Sequence, residues 1–276
     1  MIPDKGIITI AIGGKYVKQA KFLAQSCILN SPHLPRAVIT DCKDYLEPFY
    51  DIIIDYKKEL GSPFETKTQL HLYSPFNKTL YIDADSLVYS NLETLFNTID
   101  SSPFLYCGVP SKNGIWYYDI EKVIRECQVE WIPQFNSGMF LFSKNENSLE
   151  VFKTANALMQ NHADLDIGFF RNNQYPDEPF FALALAKHGI EPFEDFGRFS
   201  RTLIGADSIR LNILMGYARF KKNGIWVFPS IVHFCGRLGN CFYTMEKFRL
   251  IIFLSFTFYR LFGAILVFLR KIFGKK

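Results

Sequence analysis

Short apolar runs suited to strands alternate with longer stretches of helical period through the first half of the chain. The run from Gly6 to Ile12 is followed by a helical pattern from Tyr16 to Leu29, then by apolar runs at 36–40 and 51–56. A second helical pattern covers Thr66 to Tyr73 and is ended by Pro75. Residues 79–85 read as a central strand, Asn91 to Ile99 as a short helix with Asn91 as a candidate cap, and 104–110 and 138–143 as further strands. Helical patterns return at Asn147–Met159 and Glu178–His188. This alternation predicts an α/β chain with a mostly parallel central sheet. No internal repeat or low-complexity linker interrupts it before about residue 245, so the expected organisation is one domain over 1–245 and a tail over 246–276.

Composition narrows the classes. Across 276 residues, 49% are hydrophobic and 21% charged, which excludes a disordered chain, while 28 Phe demand a thick core or a membrane contact. The net charge of +4 carries no basic stripe interleaved with stacking aromatics, so no nucleic-acid partner is expected. Six cysteines form no Cys-x-x-Cys pair, and mostly buried free thiols in a reducing compartment are the expectation. The first apolar run is short and passes straight into Gly13-Gly14, which suits a first strand and not a signal peptide.

The strongest chemical signal is Lys78-Thr-Leu-Tyr-Ile-Asp-Ala-Asp-Ser-Leu87. An apolar strand brings Asp83 and Asp85 to its C-terminal edge, where α/β sheets place ligands. In extended backbone, residues two apart share a side, so both carboxylates would face one divalent ion while Ala84 keeps the backbone close. A hard oxygen site of this kind takes Mg²⁺ or Mn²⁺, which in enzymes usually hold phosphate oxygens. The competing reading is a solvated turn, against which the flanking hydrophobic residues argue. Gly13 and Gly14 after the first strand permit close backbone approach and an amide–anion contact, although two glycines alone also suit a plain tight turn.

The segment KTLYIDADSLVYSNLETLF resembles the Asp-x-Asp region of the GT-A glycosyltransferases, in particular the family-8 branch of lipopolysaccharide galactosyltransferases and glycogenin. AIGGKYVKQAKFLAQSCI, QFNSGMFLFSKN, YPDEPFFALALAKHGI and IVHFCG occur in that family's order, so the resemblance covers roughly residues 7 to 237. It implies a single GT-A domain, Rossmann-like, moving a sugar from a nucleotide-sugar, a UDP-sugar by preference, to an acceptor hydroxyl with retention. Ile12, Gly13 and Tyr16 would meet the nucleotide base, with Gly13 standing where the family usually has Asp. Lys67 would reach donor oxygens, and Asp83 and Ala84 would line the donor. Asn136, Ser137 and Gly138 would hold the transferred sugar. Asp177 and Glu178 would lie near the anomeric carbon as the catalytic pair, with Glu178 replacing the usual Gln. His233 would join Asp83 and Asp85 on the metal, which favours Mn²⁺ over Mg²⁺. Gly236 and Arg237 would approach the diphosphate, Arg237 standing in for a Lys-Pro-Trp segment that is missing here. Retention needs no protein nucleophile, whereas inversion would need Asp177 or Glu178 as a base, and the sequence leaves both open.

Leu250 to Leu269 is apolar and long enough to cross a bilayer, but Arg260 interrupts it. Arg249, Arg260 and Lys271 recur every eleven residues, which places them on one helical line. An apolar helix with one basic stripe suits an anionic membrane surface, with a single span and a packed core helix as alternatives. The expectation is a cytoplasmic, membrane-associated enzyme with a glycan, glycolipid or protein acceptor. Two rival functions stand beside it. One is a catalytically impaired, membrane-bound sugar-nucleotide binder. The other is an Asp-x-Asp phosphatase, which would require Thr or Val where Leu87 stands.

Overall fold

The apolar runs become strands of a sheet covered on both faces, those at 5–11, 36–40 and 78–82 burying nearly every side chain and that at 52–55 only part-buried. In chain order, the computed structural model, which describes residues 3–99, 102–161, 165, 167–168 and 174–255, opens with β1 (Lys5–Ala11), α1 (Gly14–Asn30), β2 (Arg36–Thr40), α2 (Lys43–Leu46) and β3 (Ile52–Asp55). Then come α3 (Pro63–Lys67), α4 (Leu70–Tyr73), β4 (Lys78–Ile82), β5 (Ser86–Val88), β6 (Phe104–Leu105) and β7 (Gly108–Ser111). A hairpin of β8 (Ile115–Trp116) and β9 (Tyr118–Asp119) leads to α5 (Ile120–Cys127), β10 (Ile132–Phe135), β11 (Met139–Ser143), α6 (Glu146–Gln160) and α7 (Glu178–Lys187). The chain closes with β12 (Ser200–Thr202), β13 (Ala206–Asn212), β14 (Tyr217–Lys222), β15 (Ile225–Val227), β16 (Ile231–His233) and α8 (Gly236–Ser255).

The central sheet has the order β3-β2-β1-β4-β11-β6. Its first four strands are parallel, and β11 runs antiparallel to both β4 and β6. A smaller sheet, β12-β16-β5, adjoins it, and the meander β13-β14-β15 covers α8. Many of the phenylalanines serve the core. Phe104 stacks on Phe140 with centroids 5.0 Å apart, and Phe142, Phe152 and Phe181 complete one continuous aromatic cluster. Contacts of this kind add to plain burial through offset and edge-to-face geometry.

Several sequence expectations need correction. The expected helix Thr66–Tyr73 is two short helices, because α3 starts earlier, at a capping box formed by Ser62 and Glu65, and ends at Lys67. The segment after Asn91 is a 3₁₀ turn over Glu93–Asn97, whose Glu93 N–H donates to Asn91 Oδ1 at 2.8 Å. The strand expected to run through Asp85 stops at Ile82. The cysteines are free, but of the six only Cys27 is fully buried, and burial pushes its thiol up to about 12.

The expected boundary at 245 falls inside α8, which begins at Gly236. Glu246 is buried and accepts the Ile213 N–H at 2.6 Å, while Arg249 pairs with Glu246 and donates to the Leu211 carbonyl at 2.7 Å. Arg249 therefore serves the domain and not a free basic stripe. The rest of that stripe, Arg260 and Lys271, lies outside the described residues, as does most of the proposed spanning segment. Among the described residues no helix is long and apolar enough to cross a membrane.

Removing the ring at the centre of the aromatic cluster tests how much of the fold it holds. Phe104→Ala is expected to lower stability by about 3–5 kcal/mol, read as a shift in the urea midpoint with an unchanged slope.

Candidate active site

The two acidic side chains converge through a turn and not through strand alternation. After β4 the chain reverses, with the Ser86 N–H donating to the Asp83 carbonyl at 3.0 Å. The turn is fastened on both sides: Asp83 N–H donates to the Gly138 carbonyl at 2.9 Å, and Phe234 N–H to the Asp85 carbonyl at 3.0 Å. Strand β5 then pairs antiparallel with β16, so that Ser86 lies opposite His233. This register places His233 beside the turn. Candidate ligand atoms of Asp83, Asp85 and His233 all lie within 4.8 Å of one another. His233 Nε2 is 3.0 Å from Asp85 Oδ1 and 3.7 Å from Asp83 Oδ2.

The imidazole is oriented from behind. His233 Nδ1 donates to Asn136 Oδ1 at 2.7 Å, and the same oxygen accepts the Gly138 N–H at 3.2 Å. That bond turns Nε2 towards the carboxylates, as an outer hydrogen bond does for a metal-ligating histidine. Burial disfavours the imidazolium, but Asp85 and Asp83 outweigh it and raise the His233 pKa to about 9. Burial likewise opposes the Asp85 charge, and His233 overcomes it and holds the Asp85 pKa below its ordinary value. Gly138 makes the arrangement possible, because a Cβ there would lie 2.4 Å from His233 Nδ1.

Lys67, expected near donor oxygens, is only 4% exposed. Its Nζ lies 3.1 Å from Asp83 Oδ1, 3.0 Å from Asp177 Oδ2 and 3.2 Å from Ser137 Oγ, above the Tyr81 ring at 4.9 Å. Burial opposes its charge, yet Asp177 and Asp83 together hold its pKa above the ordinary lysine value. Tyr81, the residue two before Asp83, donates its hydroxyl to Asp83 Oδ1. Asp177 is itself buried at the head of α7. Its neighbour Glu178 accepts three hydrogen bonds: from Asn136 Nδ2 at 2.7 Å and Ser137 N–H at 3.1 Å on Oε1, and from Tyr117 Oη at 2.7 Å on Oε2. Burial and the adjacent Asp177 raise its pKa.

The structure thus gathers Lys67, Asp83, Asp85, Asn136, Ser137, Gly138, Asp177, Glu178 and His233 into one contiguous group, with Ala84 buried within the turn. The nucleotide side is looser. Gly13 has φ +85° with open space where a side chain would stand, but its N–H is already taken by the Asp41 carboxylate at 3.0 and 3.1 Å. The anion at this amide belongs to the protein. Ile12 is half-buried, and Tyr16 is 37% exposed on α1 beside Lys15. Gly236 begins α8 with φ +78°, and Arg237 is exposed; no described hydrogen bond or ion pair ties Arg237 to the triad. Sequence reasoning missed Tyr117, Tyr81 and Asp41. Asp41 follows the apolar run Arg36–Thr40 directly, a position that could have marked it.

A mostly parallel sheet with one reversed strand, covered by helices and carrying its acidic cluster at the carboxyl edge, matches the GT-A glycosyltransferase fold. A family model described as glycosyl transferase family 8 matches residues 67–238. The chain belongs to that family. Galactinol synthase 7 of Arabidopsis thaliana is 28% identical over 178 residues, which cover 53% of this chain and 49% of that protein. The chain therefore spans about half the length of the curated relatives it matches. Among solved structures, the galactosyltransferase LgtC in complex with donor and acceptor sugar analogs superposes with TM-score 0.55 at 16% identity, covering 84% of this chain and 87% of that one. Mouse xyloside xylosyltransferase 1 in its apo form gives TM-score 0.53 at 14% identity, covering 84% and 98%. At these identities the likeness shows a shared fold.

Two substitutions test what supports this site. Lys67→Met leaves Asp83 and Asp177 without their buried cation and is expected to destabilise the protein by about 3–5 kcal/mol, measured by chemical denaturation. Gly138→Ala forces His233 aside and is expected to cost about 1–3 kcal/mol as a strained insertion, measured by chemical denaturation.

Proposed function

We propose that this chain is a glycosyltransferase that uses a divalent ion, Mn²⁺ by preference, to move a sugar from a UDP-sugar to an acceptor hydroxyl with retention of configuration. The observation that carries the reading is the convergence of Asp83, Asp85 and His233 at the carboxyl edge of the sheet. Two carboxylates and one imidazole with its outer nitrogen already bonded form a donor set suited to Mn²⁺, with Mg²⁺ as the weaker fit. When bound there, the ion supplies Lewis-acid neutralisation of the leaving diphosphate.

The protein's own groups divide the remaining work. Lys67 pairs with both Asp83 and Asp177 and offsets their charge from a buried position. Asn136 fixes the metal-facing edge of His233 and, through its amide nitrogen, one oxygen of Glu178. Exposed Tyr16 offers a face on which a base stacks. Retention is favoured because neither expected catalytic carboxylate stands free as a base: Asp177 is paired with Lys67, and Glu178 already accepts three donors. The acceptor hydroxyl then attacks the face vacated by the leaving group and gives its proton to a phosphate oxygen, so that positioning carries the step. LgtC was solved with donor and acceptor sugar analogs, which supports a nucleotide-sugar donor and a glycan, glycolipid or protein acceptor here.

Membrane association belongs to the same proposal. Met245, Phe248 and Ile252 are exposed along α8, leading into the basic and apolar C-terminal sequence, a combination that suits an anionic bilayer surface at the cytoplasmic face. A second reading, a sugar-nucleotide binder without turnover, draws on Gly13 and Glu178 departing from the family pattern.

Hydrolysis of a panel of UDP- and GDP-sugars, with Mn²⁺, Mg²⁺ or EDTA, distinguishes the two. Manganese-dependent release of UDP is expected, and Asp85→Asn should lower it about 100-fold or more. Metal-dependent binding without release favours the second reading; neither binding nor release refutes both. Mn²⁺ affinity should also rise with pH, because His233 holds a proton up to about 9 that the ion must displace. The expected gradient is about tenfold per pH unit below that value, read by titration at pH 6.5, 7.5 and 8.5.

A further inference from the structure

Tyr117 occupies the tip of the β8–β9 hairpin with φ +54°, a left-handed conformation that a bulky aromatic residue seldom adopts. Such outliers concentrate where a side chain must be aimed. This one is aimed at Glu178, whose Oε2 accepts its hydroxyl at 2.7 Å, while the ring remains 36% exposed. Glu178 is in turn one residue removed from the metal triad, through Asn136 and His233. A carboxylate has about four acceptor positions, and three are filled here, so one remains for a donor. Sugar hydroxyls are donors, and a sugar attached to a diphosphate at the triad would meet this carboxylate.

The charge balance around that position is one-sided. Asp83, Asp85, Asp177 and Glu178 face inward against Lys67, which is already shared by two of the acids, while His233 would be neutral once it held an ion. A divalent ion in the triad would be matched by the two negative charges of the donor's diphosphate, so the excess of acids around Glu178 would stay unfavourable to a further anion. We propose that Glu178, held in place by Tyr117, restricts the transferred sugar to uncharged types and rejects uronic acids by electrostatic repulsion. Tyr117 is a positioning residue: it acts through the carboxylate it fixes. This inference rests on the metal-dependent UDP-sugar reading above.

Glu178→Gln isolates the charge. The amide oxygen still accepts from Asn136 and Ser137, and its NH₂ meets the Tyr117 oxygen, which can turn from donor to acceptor. Tyr117→Phe isolates the positioning. The experiment measures kcat/KM for hydrolysis of UDP-glucose, UDP-galactose, UDP-xylose and UDP-N-acetylglucosamine against UDP-glucuronate and UDP-galacturonate, with Mn²⁺, for the full chain and both variants. Affinity for UDP alone reports the integrity of the nucleotide site. The expected result is a preference of about 100-fold or more for the best neutral sugar. Glu178→Gln should narrow it about tenfold or more and Tyr117→Phe by a smaller factor, with UDP affinity within about twofold throughout. Equal use of uronates by the unaltered chain, or an unchanged preference in both variants, overturns the proposal. Absence of metal-dependent UDP binding and turnover overturns the underlying reading and this inference with it, and is distinguishable because no sugar then gives a signal.

Discussion

Lys67 carries an ammonium group, almost wholly removed from solvent, into the space between Asp83 and Asp177, and this ion pair allows several carboxylates to approach one another at the sheet edge. Without it, the acids at this edge would face one another with no cation between them, and an unpaired charge away from water is strongly disfavoured. The lysine arrives there as the last residue of α3, a helix started by the Ser62–Glu65 capping box.

A single network joins the residues around that pair. Asn136 uses both ends of its amide, the oxygen for His233 and Gly138 and the nitrogen for Glu178. It thereby sets the tilt of the imidazole and the orientation of a carboxylate at once. Strand β16 brings His233 from the far end of the chain by pairing with β5 directly after the acidic turn. The small sheet thus acts as the clasp that holds sequence-distant ligands together. Gly138 contributes by lacking a side chain, which leaves room for the histidine ring.

The residues carrying this arrangement differ in how legible they are. Asp83, Asp85 and His233 stand in apolar surroundings at strand ends, so hydrophobic pattern and family resemblance together reveal them. Asn136, Ser137, Asp177 and Glu178 sit at the ends of strand and helix patterns and are legible for the same reason. The manner of their convergence was not. Apolar residues run through Asp83 and Asp85 as they would in a strand, and only the hydrogen bond from Ser86 back to Asp83 makes the segment a turn. Tyr117 lies in a loop without periodicity, and neither its positive φ nor its reach to Glu178 leaves a mark in composition. Arg249 was misread for a comparable reason, since an eleven-residue spacing of cations says nothing of Glu246, the buried partner that claims it. The sheet order follows the alternation of strand and helix as far as β4; the reversed strand β11 and the covering meander depend on long-range pairing that local pattern does not encode.

The central claim is that one ion bridges this triad and a nucleoside diphosphate. Its most direct test is a crystal structure grown with UDP and Mn²⁺, using the anomalous signal of manganese to place the ion. A single anomalous peak within about 2.0–2.4 Å of atoms from Asp83, Asp85 and His233, touching diphosphate oxygens, is the expected result. UDP seated at the sheet edge with no manganese peak at the triad, or a peak coordinated elsewhere, would contradict it.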